Sequence, residues 1–336
     1  MAKTYGVGFC GAGGIVRGNH LPAVENSAGR FRAVGFYDVM ADRARELAGT
    51  RYRAWPTYEA MLADGAVDLV VVATKPLATH FPAARQALEA GKSVLLEKPM
   101  CLTSAECDAL IALAQARRVV LTVHHNRRLD LDFQNVLHNI QLGKVGEPRF
   151  IESRVCCGAY GGGDCVDWGI HLVDQALVLN PSELREVSAF FCNPAGGAAD
   201  SGYMEATLRF AAGPVVRVAM MPRPPEYLLN GTPPSARFTV AGTTGSFVQR
   251  TIECARDLLN ATVNFDKARP EYAVPPFLQA SEPSYYDALY ASLAEGRPLL
   301  VRPEAARNAI RVIELIEQSA RSGRSVPADG MLALAE

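Results

Sequence analysis

Two stretches of this sequence carry side chains whose types and spacing suit proton and charge transfer. In the first, the apolar run Ser93–Val94–Leu95–Leu96 ends abruptly in Glu97–Lys98–Pro99. Ligands of an open parallel sheet sit beyond the carboxyl ends of its strands, so a lysine emerging there faces solvent or substrate. Pro99 fixes its own φ and holds Lys98 extended, which aims the ammonium. A strand-end salt bridge followed by a helix-starting proline would account for the same residues. In the second stretch, a helix from about Asp164 would set Asp167, His171 and Asp174 at i, i+4 and i+7 on one face. An acid one turn before a histidine fixes its tautomer and favours the imidazolium, which suits a general base. The same pair could chelate a metal, or it could be a core histidine with a structural partner. No clear third ligand accompanies it, so no metal is expected. The run Gly161–Gly162–Gly163 just ahead lets something approach the backbone closely, which speaks against the core reading.

The elements around these stretches alternate through the first third of the chain. Tyr5–Cys10 is an apolar run entering Gly11–Ala12–Gly13–Gly14–Ile15–Val16, followed by a helical pattern from His20 to Asn26. Glycines in that context allow a tight turn and close approach of a pyrophosphate to a helix N-terminus. Val16 stands where a third glycine is usual, so the motif is degenerate. A second run, Phe31–Tyr37, ends in Asp38, about 20 residues past the glycines, where an acid hydrogen-bonds ribose hydroxyls and repels a 2′-phosphate. NAD is therefore expected over NADP. Val67–Ala73 is too uniformly apolar for a half-exposed strand and reads as buried on both faces. It exits through Thr74–Lys75–Pro76 towards His80 and a helix ending at Glu89. The Lys98 strand, a capping box at Thr103–Glu106 and a last strand, Val119–Val123, follow. Strands separated by helices imply right-handed crossovers and a doubly wound parallel sheet. Residues 1–123 are expected to form a dinucleotide-binding domain. Its cofactor contacts would be Gly11, Gly13, Gly14, Ile15, Asp38, Thr74, His80, Glu97 and Lys98.

Residues 124–336 read differently. After His124–His125–Asn126–Arg127–Arg128 and a polar helix to about Leu142, strand patterns recur at 149–157, 186–192, 204–210, 215–221, 236–241 and 246–250, joined by Gly/Pro-rich turns. Helices are expected from Ser284 to Leu293 and from Pro303 to near Gly323, the latter with Ala306, Ala309, Ile310, Ile313 and Ile316 as its buried stripe. Asn126, Arg127 and Arg128 leave the last parallel strand and are candidates to read substrate hydroxyls or a carboxylate, or they form a solvated helix start. Tyr160 and Trp168 flank the glycine run and could offer a ligand an apolar face, or Trp168 belongs equally to the core.

Composition removes other classes of function. With 34 basic and 35 acidic residues there is no broad field for nucleic acid or an anionic membrane. No window approaches the ~18 apolar residues of a membrane span. The stretch before Val16 is broken by five glycines, unlike a signal peptide. Eight scattered cysteines without a C-x-x-C pair read as reduced thiols, so the cytoplasm is expected.

The ordered set Gly11-x-Gly13–Gly14, Glu97–Lys98–Pro99 and Gly161–Gly162–Gly163-x-x-x-Asp167-x-x-x-His171 resembles the glucose–fructose oxidoreductase/inositol dehydrogenase (Gfo/Idh/MocA) family across nearly the whole chain. The resemblance implies a Rossmann domain followed by an α+β domain with an open-faced, mainly antiparallel sheet. It also implies homodimers or homotetramers built through that sheet, and a sugar, sugar derivative, glycoside or cyclitol oxidised at a ring hydroxyl. Lys98 matches the family's catalytic lysine, His171 its proton acceptor and Asp167 the acid nearby. Lys75–Pro76–Leu77 departs from the uncharged loop of many relatives. A related enzyme keeping NAD bound for redox-assisted elimination or glycoside cleavage is the alternative. A non-catalytic NAD or sugar sensor is a third reading, although a sensor has no need of an acid–base pair.

Overall fold

The computed structural model describes residues 3–156, 165–192, 203–221, 236–250, 262–265 and 284–328. Tyr160 and Gly161–Gly162–Gly163 lie outside them. The chain packs as two compact units, residues 1–125 with 283–310, and residues 126–282 with 311–336.

The first unit holds six parallel strands, β1 (Tyr5–Cys10), β2 (Phe31–Tyr37), β3 (Arg53–Ala54), β4 (Leu69–Val72), β5 (Ser93–Leu96) and β6 (Leu121–Val123). Their order is β3-β2-β1-β4-β5-β6, which reverses between β1 and β4 and opens a crevice there. The uniform apolar runs are explained by burial on both faces: Val7, Phe9, all of β4, and Val94 to Leu96 are fully enclosed. Helices α1 (Leu21–Glu25), α2 (Ala41–Ala48), α3 (Tyr58–Ala63), α4 (His80–Glu89) and α5 (Ser104–Arg117) make the crossovers. The Thr103–Glu106 capping box opens α5 as the sequence indicates. Between the glycine loop and α1 the chain winds as a π turn, Val16–His20. Val16, in place of the third glycine, is fully buried at the start of that wider turn.

The second unit contains α6 (Leu131–Gln141), β7 (Pro148–Cys156), α7 (Ile170–Leu179), β8 (Leu184–Cys192), β9 (Tyr203–Phe210), β10 (Val215–Met221), β11 (Ala236–Gly242), β12 (Ser246–Arg250) and β13 (Thr262–Phe265). With β14 (Val326–Pro327) these form an eight-stranded sheet, β13-β12-β11-β7-β10-β9-β8-β14. Only the β7–β10 pair is parallel among its described neighbours. Helix α7 packs on β7 and β10, burying Ile170, Val173 and Ala176. A π turn, Cys165–Gly169, leads into α7, so the helical face expected from Asp164 is wound more widely at its start.

Helix α8 (Tyr285–Glu295), with the first part of α9 (Pro303–Ser322), belongs to the first unit. A single cut near residue 123 therefore does not describe the packing. The cause is an aromatic seam: Tyr290 meets Tyr5 and Phe31 edge-on, and the Tyr285 hydroxyl donates to the Val123 carbonyl at 2.6 Å. Among the described residues no helix is long and apolar enough to cross a membrane.

Candidate active site

In the first unit the glycine loop leaves β1 beside β4. Gly11 has φ +106°, and a Cβ there would stand 2.3 Å from the Ala73 carbonyl oxygen, so this glycine is required by packing. Gly13 and Gly14 differ: nothing lies within 4 Å of where their Cβ atoms would be. Their faces are open, as a cradle for a pyrophosphate must be. Asp38, at the end of β2, accepts the Ala12 amide on Oδ2 and the Met40 amide on Oδ1, each at 2.8 Å. It thus ties the loop to β2. Ile15, Val39 and Met40 expose apolar side chains around it, and such surface suits the flat face of a base. These features fit a dinucleotide.

At the carboxyl end of β5, Lys98 is half-buried and Glu97 buried. Glu97 Oε1 accepts His124 Nδ1 at 2.6 Å and His20 Nε2 at 2.9 Å, while Oε2 accepts the Lys98 amide at 3.1 Å. Burial would push the Glu97 carboxyl up, but the hydrogen bonds from His124 and His20 outweigh it and hold it far below the usual range. Burial depresses His20, leaving it neutral beside an ionised carboxylate. His20 Nδ1 lies 2.8 Å from the Tyr286 hydroxyl, which burial keeps protonated. His20, Glu97 and His124 also offer three ligand atoms within 4.8 Å of one another. The short N···O separations are those of hydrogen bonds, however, and each is filled by an imidazole proton.

His80 is buried with Nδ1 2.8 Å from the Pro99 carbonyl and Nε2 3.1 Å from the Thr74 carbonyl. Its ring is therefore spent on the backbone at the ends of β4 and β5. The Thr74 hydroxyl accepts from Thr79 at 2.7 Å.

In the second unit His171 is buried near the start of α7, with the Trp168 ring 6.4 Å away and nearly edge-on. Arg127 lies over that indole, 5.3 Å from the ring centroid, and reaches Asp130 at 3.4 Å. Asp167 sits in the π turn preceding α7, and Asn126 starts a 3₁₀ turn, Asn126–Leu129. Arg128 is turned inward onto Asp174, the third acid of the predicted face. Gln175 donates to the Arg127 carbonyl at 2.7 Å and accepts Arg237 Nη2 at 2.6 Å. Arg237 also donates to Ser153 Oγ at 2.7 Å, with Asp132 at 3.8 Å. A buried polar web thus fixes α7 against the turn carrying Asn126 and Arg127.

Sequence reasoning missed the His20–Glu97–His124 cluster, although one signal pointed to it. The parallel register pairs Leu96 with Val123, so Glu97 and His124 leave adjacent strands side by side.

The chain belongs to the oxidoreductase family with an NAD-binding Rossmann fold, Gfo/Idh/MocA. The family's Rossmann domain matches residues 5–125, and its C-terminal alpha/beta domain matches residues 158–328. An uncharacterized oxidoreductase of Escherichia coli (strain K12) is 28% identical, over 96% of this chain and 98% of its own. A scyllo-inositol 2-dehydrogenase (NADP(+)) of Bacillus subtilis is 26% identical over 78% of this chain and 79% of its own. Among solved structures, an NAD-binding protein from Listeria innocua superposes with a TM-score of 0.81 at 27% identity, covering 98% of both chains.

Proposed function

We propose that this protein is a dehydrogenase that oxidises a ring hydroxyl of a sugar, sugar derivative or cyclitol, with NAD preferred over NADP. The observation that carries the reading is the open-faced Gly13–Gly14 loop tied to Asp38, in a unit whose β5 delivers a braced Glu97–Lys98–Pro99 turn. The chemistry a bound nicotinamide supplies is hydride acceptance. The chain must then remove the hydroxyl proton and stabilise the charge left behind. Lys98, as a cation, stabilises the developing alkoxide and positions the hydroxyl. His171 takes the proton and Asp167 tunes it. Arg127, stacked on Trp168, supplies hydrogen-bond donors beside an aromatic face, a pairing suited to a polyhydroxylated ring.

On this reading the first unit holds the cofactor and the second the substrate. The eight-stranded sheet serves homo-oligomer formation, and the protein works in the cytoplasm. The test is a screen of sugars, inositols, uronates and glycosides with each cofactor, following absorbance of the reduced nicotinamide. Turnover of a cyclic polyol supports the reading, and activity confined to open-chain alcohols overturns it.

A further inference from the structure

Read from sequence, Glu97 is a cofactor contact. In the structure both of its oxygens also accept hydrogen bonds from within the protein. An ionised carboxylate can only accept, so His20 gives an Nε2 proton to Glu97 Oε1, and its neutral ring then accepts the Tyr286 hydroxyl on Nδ1. His124 gives its Nδ1 proton to the same oxygen. The other oxygen accepts the Lys98 amide. These donors come from four separate places: the π turn after β1, the end of β6, helix α8 and the β5 exit itself. On the far side of the turn, His80 of α4 stands 2.8 Å from the Pro99 carbonyl. The backbone is therefore held immediately before Lys98 and immediately after Pro99.

A carboxylate buried with two imidazoles is a poor source of net stability, because desolvation offsets most of the attraction. Its use is geometric, since each hydrogen bond has a direction as well as a length. We infer that Glu97, clamped between His20 and His124, is the positioning residue for Lys98, setting where that side chain leaves β5. The inference rests on the reading of Lys98 as the cation at the reacting hydroxyl.

Three measurements test it. Glu97→Gln keeps an oxygen for the two imidazoles but sets an amide NH₂ against the Lys98 amide. Its kcat should fall by about tenfold or more, since small misplacements are costly to chemistry. The cofactor dissociation constant, from fluorescence titration, should stay within about threefold. His124→Leu should behave alike, whereas His124→Asn, whose Nδ2 stands where the Nδ1 donor was, should recover most of kcat. In the unsubstituted protein, isotope-labelled histidine should show His20 protonated on Nε2 and His124 on Nδ1, both in slow exchange with water.

The opposite protonation pattern overturns the inference. So does unchanged kcat in Glu97→Gln and His124→Leu while Lys98→Met is inactive, an outcome that leaves the proposed function standing. A joint fall of kcat, cofactor affinity and Tm without rescue by asparagine makes the cluster structural only. One zinc per chain surviving dialysis, and replacing the imidazole N–H signals, makes it a metal centre. Full turnover in Lys98→Met overturns the role of Lys98 and this inference with it.

Discussion

Arg128 grips Asp174 as a fork, with Nε 2.9 Å from one carboxylate oxygen and Nη2 2.6 Å from the other. Both side chains are withdrawn from solvent, at 14% and 3% exposure. Removing one partner takes from the other its forked counter-charge in a low-dielectric place. Asp174→Asn or Arg128→Met should therefore each cost about 3–5 kcal/mol of stability. The double substitution Arg128→Met/Asp174→Leu should recover much of it. Chemical denaturation of the three variants checks this. If Arg128→Met keeps its stability and instead raises substrate KM, Arg128 is a substrate ligand, as its place in the sequence first indicated.

General-base catalysis is worth ~10²–10⁴-fold, so His171→Ala should lower oxidation kcat by that range. The acidic limb of the kcat–pH profile should vanish with it, and Asp167→Asn should move that limb to lower pH. A full pH series on the three proteins decides the matter. Near-normal kcat with an unchanged limb would place the base elsewhere.

Cofactor choice should follow Asp38. Its carboxylate stands at the end of β2 against the glycine loop, and a 2′-phosphate on the ribose it would bind would meet like charge. The kcat/KM for NAD should exceed that for NADP, and Asp38→Ser should shrink the ratio by about tenfold or more. A wild-type preference for NADP would contradict this and turn attention to Arg43 and Arg45 beyond it.

Stability should depend on pH through the buried cluster. His20 is depressed by burial, so below ~6.5 the unfolded chain binds a proton that the folded one refuses. Stability is then fully present above ~6.5 and falls as pH drops, by at most about 1.4 kcal/mol per pH unit for one proton. Glu97 is depressed as well, so its contribution is lost further down, as pH falls below ~4.3. Denaturation midpoints from pH ~7 downward should show both stages. Glu97→Gln should lack the second. A flat profile between ~6.5 and ~5 would mean that His20 is already protonated in the folded protein.

Much of the first unit was legible because its residues obey one period at a time. Val70 to Val72 are apolar without interruption, as a doubly covered strand must be, and Thr103 with Glu106 marks a helix start unaided. Strands β3 and β14 were not legible, since two residues carry no period. The site shows the same division. Gly11, Asp38 and Lys98 stand at strand ends, where sequence order and spatial order coincide. His20, Glu97, His124 and Tyr286 meet only because four elements converge, and Tyr286 is far along the chain from the rest. The inward turn of Arg128 onto Asp174 was hidden for the same reason. Both residues were singled out, but their pairing belongs to tertiary structure.

The position of β7 has a consequence for how the second unit is assembled over time. Its neighbours β10 and β11 both come later in the chain, and each heads an antiparallel meander of its own, β8-β9-β10 on one side and β11-β12-β13 on the other. Each meander can zip locally, but β7 gains a partner only after a long loop closes around it. During synthesis β7 therefore emerges first and waits with both edges bare, the state in which a strand is most open to pairing with the wrong chain. The central strand of this sheet is the one its birth leaves longest unprotected.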